Sequence, residues 1–404
     1  MTDAESGASP TVVDPSGGAN QARVRVYNER LVLSLVRWHG NLSKAEIARR
    51  SGLSAQTVTV IMRQLEGDGL LLRGAPVRGK VGQPSTPMML NPEGAYAIGL
   101  KIDRRASELY LVDFTGQVRK NIPRSYNYPT PEAVLDFVRD TLPELVALIP
   151  ARRRGRLAGL GVAMPFELWN WERQLGAAPG SMAGWQTIDF AAELQAVADL
   201  AIYIQNDCTA ACGAELLFGR GSTHTSYAYF HVGYFVGGGI VLDNALFSGL
   251  SGNSGAFGTV RVAGPKGQAV PLLDCASLHL LEEAAVGAGW EALDLWSGRR
   301  NWQELGPVLD AWISRAAHYL AEASLSVCSV IDFQAVMIDG PFPPEVRSRL
   351  VAETQSALAG MERSGISPFE LQEGSLGGDA QGRGAASLPL MGRFLIDSGV
   401  LFRN

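Results

Sequence analysis

Two short helix signals separated by a single glycine turn constrain this chain more than any other feature. Ser43-Lys44-Ala45-Glu46 places a serine three residues before a glutamate, the reciprocal pairing that opens a helix. That helix holds Ile47 and Ala48 and stops at Gly52. Ser54 then caps a second helix whose apolar positions Val58, Ile61, Met62 and Leu65 recur at helical spacing. Its other face carries Gln56, Thr59 and Arg63. Upstream, Tyr27, Leu31 and Leu35, flanked by Val32 and Val36, form an apolar stripe ending near Gly40. Two short helices around Ser51-Gly52-Leu53, the second polar outside, predict a helix-turn-helix.

The flanking sequence extends that motif. Leu70 to Arg73 and Pro87 to Leu90 read as two strands, and Arg78-Gly79-Lys80-Val81-Gly82-Gln83-Pro84 between them is a basic, glycine-rich tip, as in a wing. From Gln21 to Pro92 there are eleven basic and four acidic residues, although the whole chain carries a formal charge of -5. A basic module on an acidic body points to an anionic macromolecule as partner of the first part only. Amides, hydroxyls and guanidinium groups at a helix start can reach base edges in the major groove, while Lys and Arg neutralise phosphates. The candidate DNA contacts are therefore Lys44, Ser54, Gln56, Thr57, Thr59, Arg63, Arg78, Lys80 and Gln83, and the expected partner is a double-stranded DNA operator.

Asn91-Pro92-Glu93-Gly94 punctuates the chain, dividing it into a disordered tail (1–22), a winged helix-turn-helix (23–92) and a large body (93–404). The tail lacks the apolar core of a signal peptide, and no run reaches the roughly 18 apolar residues of a membrane span. The expectation is a cytoplasmic protein with no membrane partner. Cys208 and Cys212 are one helical turn apart, a spacing that suits core packing. In the body, Ala97 to Ile102 and Glu108 to Phe114 read as strands joined at Asp103-Arg104-Arg105, and Pro131 to Ile149 as an amphipathic helix. Leu157 to Met164 reads as a buried strand. Asn206-Asp207 ends a strand and opens a helix, and Tyr227 to Leu242 reads as strand, tight glycine loop (Gly233 to Gly239) and strand. Alternating elements of this kind predict an α/β body of two similar lobes around a cleft.

These residues resemble the ROK family (repressor, open reading frame, kinase), and specifically its winged-helix regulators of sugar metabolism. The resemblance rests on Asn91-Pro92 leading into Ile98-Gly99, on Gly159 to Pro165, and on Pro179 to Trp185. It continues through Asn206-Asp207, Gly237-Gly238-Gly239, Gly249 to Gly258, Gly377 to Ala380 and Gly384-Ala385-Ala386. It implies an actin- or hexokinase-like two-lobed fold, a sugar-type effector in the cleft, and a homodimer or higher oligomer.

Departures from the family pattern weigh against catalysis. The kinase members place a Gly-Gly-Thr turn beside the ATP phosphates, where this chain has Arg104-Arg105-Ala106 after Asp103. Bulky side chains there replace glycines that let backbone N–H groups approach phosphate. Phe235 stands where the second loop should hold a small glycine. Asp207 matches the family's catalytic base, but a carboxylate can also accept sugar hydroxyls without chemistry. The Gly-Glu-x-Gly-His segment becomes Gly255-Ala256-Phe257-Gly258-Thr259, so Ala256 and Thr259 replace its acid and imidazole. The cysteine-rich zinc loop is missing between Arg261 and Pro271, and Cys275 with His279 falls short of the four ligands of a structural zinc site. The expectation is a regulator with no catalytic residue, metal or cofactor. The competing reading is an ATP-dependent sugar kinase with an N-terminal extension. Candidate ligand residues are Asn206, Asp207, Trp169, Trp171, Ser251, Gly252 and Asn253, with Trp185 assigned to the core.

Overall fold

A computed structural model gives the structure of the chain and describes residues 21–76, 86–172, 177–264, 266–292, 294–296 and 300–396. The expected N-terminal tail up to residue 20 and the wing tip with Arg78, Lys80 and Gln83 lie outside the described residues. The chain forms two compact units. One runs to Asn91 and also takes the chain from Met391 onward; the other is Pro92–Leu390. The large body anticipated over 93–404 thus yields its last stretch to the first unit.

In the first unit, α1 (Gln21–His39), α2 (Lys44–Ser51) and α3 (Ala55–Gly67) are followed by β1 (Leu71–Arg73) and β2 (Met88–Leu90). Both helix starts form as the sequence dictates. Ser43 and Glu46 make the reciprocal capping box of α2, and the Ser54 side chain accepts from Thr57 N at the start of α3. Gly52 ends α2 at φ +70°, a left-handed conformation that glycine adopts without steric cost. Val32, Val36, Ile47, Val58, Met62 and Leu71 pack the centre with almost no exposure. β1 and β2 pair antiparallel, Leu71 opposite Leu90. The end of the chain joins this unit through Ile396, whose N–H donates to the buried Ser34 Oγ of α1 at 3.0 Å.

The second unit carries the same sheet twice. Its first sheet consists of β3 (Tyr96–Ile102), β4 (Ala106–Asp113), β5 (Val118–Ser125), β6 (Leu157–Met164) and β7 (Ile202–Asn206), ordered β5-β4-β3-β6-β7. Helices α4 (Pro131–Ala147) and α5 (Phe190–Ala198) belong to this lobe, and α6 (Asp207–Phe218) follows β7. The second sheet consists of β8 (Tyr227–Val232), β9 (Val236–Leu242), β10 (Ala245–Phe247), β13 (Ala335–Asp339) and β14 (Glu370–Glu373), ordered β10-β9-β8-β13-β14. Between its two halves lie the ribbon β11 (Arg261–Ala263) and β12 (Ala269–Pro271), then α7 (Leu278–Gly287) and α8 (Pro307–Val330). Helix α9 (Pro344–Ala359) precedes β14, and α10 (Ala380–Phe394) closes the fold. In each sheet three antiparallel strands adjoin two parallel ones, the parallel pairs needing helical crossovers.

Apolar runs fill both lobes. Ile98, Leu100, Phe137 and Leu160 pack the first, with Trp185 in its core donating Nε1 to Pro129 O at 2.9 Å. Phe230, Trp312, Leu320 and Ile338 pack the second. One local expectation fails. Gly237, Gly238 and Gly239 are not in a loop but within β9, and only Gly233 to Phe235 make the turn. A methyl group on Gly237 or Gly239 would run into Cys208 or Cys212 of α6, so the glycines let that helix lie directly on the sheet. That contact buries both cysteines.

Candidate functional site

The DNA-facing candidates sit on α2 and α3. Lys44 is exposed at the first residue of α2. On α3, Gln56 and Arg63 are exposed, while Thr57 and Thr59 are half-buried. The hydroxyls of Ser54 and Thr57 lie 2.8 Å apart, and Thr59 Oγ1 donates to Ala55 O at 2.9 Å. These three hydroxyls therefore serve the helix start, and the outward face is Gln56, Val60 and Arg63. Val60, 63% exposed, was missed from the sequence. Its signal was an apolar residue breaking the polar face four positions after Gln56. A methyl-bearing side chain there suits contact with thymine methyl groups.

In the second unit a cleft of about 780 Å³ opens between the lobes. Asp207 is the first residue of α6 and lines it. Its Oδ2 accepts from Gln381 Nε2 at 2.8 Å and its Oδ1 from Cys208 N at 2.9 Å. Burial, with repulsion from Asp103, pushes its carboxyl up to about 6. Asn206, also on the cleft, caps α6 by accepting from Cys208 N and Thr209 N. Ser251 and Asn253 line the cleft. Gly252 is not among the lining residues; a methyl group added to it would meet the ring of Phe166, which does line the cleft. Both tryptophans after Pro165 pack against the first lobe's core, and of the two only Trp171 also lines the cleft. A single helical turn, Leu168–Trp171, holds both.

The floor contains a polar network that the sequence did not reveal. Lys101 Nζ donates to Glu108 Oε1 at 3.1 Å, and Tyr110 and Asn121 donate to Glu108 Oε2 at 2.9 and 2.8 Å. Burial pulls the lysine down, but Glu108 and Asp103 outweigh it and hold it above the usual range. His231, 2% exposed on β8, borders the cleft, and burial lowers its pKa to about 4. It is therefore neutral at pH 7. The only hint was one polar residue inside the apolar run Tyr227–Val232. Gln381 followed the glycine motif without any sign of its partner.

Arg104 defines one side of the cleft. Its guanidinium carbon lies 2.9 Å from the Tyr234 ring centre, 5.5 Å from Phe235 and 5.9 Å from Trp171. Burial lowers its pKa to about 10, leaving it charged at neutral pH. Ala256 and Thr259, which stand where the family pattern has an acid and an imidazole, line the cleft. The Thr259 hydroxyl donates to Ala256 O at 2.8 Å, within its own turn. Cys275 is buried, and His279 packs against Tyr234 and Phe235.

A winged helix followed by a two-lobed cleft domain whose two sheets share one strand order defines the architecture. The ROK family pattern matches residues 97–390, and the winged helix-turn-helix DNA-binding pattern matches 27–71. The chain belongs to the ROK family. It is 24% identical over 250 residues to the xylose repressor of Bacillus subtilis (strain 168), covering 61% of this chain and 64% of that protein. The chain thus spans just under two thirds of that relative. It is 23% identical over 326 residues to the DNA-binding transcriptional dual regulator NagC of Escherichia coli (strain K12), covering 79% of this chain and 78% of that one. The fold is shared with a ROK family transcriptional regulator described as a homolog of the E. coli MLC protein, at TM-score 0.63, 19% identity, and coverage of 91% and 96%. It is shared too with a ROK family glucokinase from Streptomyces griseus, at TM-score 0.55, 19% identity, and coverage of 73% and 99%.

Proposed function

We propose that this protein is a DNA-binding transcriptional regulator, a repressor, controlled by a sugar or sugar derivative held in the cleft, and that it carries out no phosphoryl transfer. The relatives named as repressors support the regulatory half. The observation that carries the non-catalytic half is Arg104: its side chain lies on Tyr234 in the turn where kinases bring bare backbone to the ATP phosphates. Asn206 and Asp207 would accept and donate to ring hydroxyls, Trp171 would cover an apolar sugar face, and Ser251 and Asn253 would complete the rim.

In this reading the protein acts in the cytoplasm as a homodimer or higher oligomer. A ligand that touches both lobes favours one closure angle, and in a dimer this alters the spacing of the two recognition helices. Half-sites recur at about 34–36 Å, so a modest rotation mismatches them. The test is a DNA titration with and without a ligand found by thermal shift across a sugar library. Asp207→Ala is expected to bind operator normally and lose the ligand response. ATP turnover with a hexose panel that disappears in Asp207→Ala would overturn the non-catalytic reading.

A further inference from the structure

Arg104 is a buried cation with donors left over. The residue is 7% exposed and borders the cleft. Among the described residues its guanidinium donates no hydrogen bond; the nearest carboxylate oxygen, Asp103 Oδ1, is 3.7 Å away. Stacking on Tyr234 engages the planar face of the group and leaves its edge N–H groups free. The other buried cation of the cleft differs in this respect, because Lys101 donates a hydrogen bond to its counter-charge Glu108. Asp103 is a counter-charge at 3.7 Å but takes no hydrogen bond from the guanidinium, whose N–H groups are left without a protein acceptor among the described residues.

The acidic groups nearby do not fill that role. Asp207 is bound by Gln381 and Cys208 N, and Glu282 by Trp296 Nε1. Asp103 turns one oxygen to the Arg104 backbone N–H at 2.7 Å. A second arginine, Arg105, is exposed at the cleft edge beside it. Arg104 and Arg105 both line the cleft, and guanidinium N–H groups open to it suit an oxyanion.

We propose that the cleft takes an anionic sugar, with the carboxylate or phosphate of the ligand docked on the edge of Arg104 and its hydroxyls on Asn206 and Asp207. This rests on the regulator reading above and names the chemical class of its effector. The substitution that removes a backbone cradle for nucleotide phosphates also supplies a side-chain cradle for one anionic group on the ligand itself. Arg104 discriminates by leaving its N–H groups unpaired when a neutral sugar enters.

The experiment is calorimetric titration of the full chain with matched neutral, C6-carboxylate and C6-phosphate forms of glucose, galactose and mannose, and with inorganic phosphate alone. The expected result is that one anionic sugar binds at least about tenfold more tightly than its neutral parent. In Arg104→Gln that preference vanishes, while a circular dichroism spectrum and melting temperature matching those of wild type show that the variant is folded. The carboxylate and phosphate arms decide between the two anions. Neutral sugars that bind as tightly as the anionic ones, or a preference that survives Arg104→Gln, would overturn the inference. If a neutral sugar binds and shifts operator affinity, the regulator reading stands while the anion site falls. Binding by none of the nine sugars overturns both.

Discussion

Gln381 Nε2 donates a hydrogen bond of 2.8 Å to Asp207 Oδ2, joining the first turn of α10 to the first residue of α6 across the cleft wall. The two helix starts, whose partial positive ends favour a carboxylate, converge on one ionisable group. Asp207 is nonetheless held up at about 6, since burial and the neighbouring Asp103 oppose its charge.

That balance fixes the sign of a pH effect. The folded state holds the Asp207 proton more tightly than the unfolded chain, whose aspartate titrates near 3.8. The stability from this group is present below about 3.8 and lost as pH rises through about 6. Asp207→Asn, neutral throughout, is expected to melt higher than wild type at pH 7.5. The difference should shrink below pH 6 and disappear near pH 4. Melting curves at three pH values check this, and a gain that grows on acidification would contradict it.

His231 runs the other way. Burial lowers its pKa to about 4 from 6.5, so its contribution is present above pH 6.5 and lost as pH falls toward 4. His231→Gln is expected to flatten the acid side of the stability profile, whereas Asp207→Asn steepens it. Identical profiles for the two variants would show that neither group is buried as described.

On the DNA side, Gln56→Ala should weaken operator binding by about 1–3 kcal/mol while leaving binding to random DNA nearly unchanged, because an amide at that position reads base edges. Lys44→Ala should weaken both alike and reduce the slope of log affinity against log salt by about one. Retention of full specificity by Gln56→Ala in a competition titration would move the reading face elsewhere on α3.

What the sequence discloses and what it hides divide along contact distance. Ser43, Glu46, Gly52 and Ser54 act on backbone groups within a few residues, so both helices of the helix-turn-helix can be written down from local chemistry. The alternating strands and helices of the body are equally legible, and their glycine motifs carry a family resemblance. The partners of single side chains are another matter. Gln381 meets Asp207 across 174 positions, and Arg104 meets Tyr234 across two lobes. Gly237 and Gly239 read as a loop because the cysteines they must clear lie on α6, outside any local window. Trp169 and Trp171 share a neighbourhood in sequence and both touch the first lobe's core, and nothing local marks Trp171 as the one that also lines the cleft.

The last expectation concerns the end of the chain. Helix α10 begins at the cleft, where Gln381 holds Asp207, and from Met391 onward the chain belongs to the winged-helix unit. There the Ile396 N–H is held by Ser34 Oγ, a hydroxyl with no solvent exposure in the middle of α1. Ser34→Ala removes the acceptor and leaves a backbone donor unpaired, at a cost of about 1–3 kcal/mol to that attachment. The same segment is the covalent continuation of a helix that touches the ligand site, and effector responses are typically only about 1–3 kcal/mol in size. Loosening the attachment should therefore leave operator affinity without ligand close to that of wild type and diminish the shift that ligand causes. Ser34→Thr, which keeps a hydroxyl, should restore part of that shift. Paired operator titrations with and without ligand on the wild type and both variants measure this. A full ligand response in Ser34→Ala would show that the signal reaches the winged helix without the chain end.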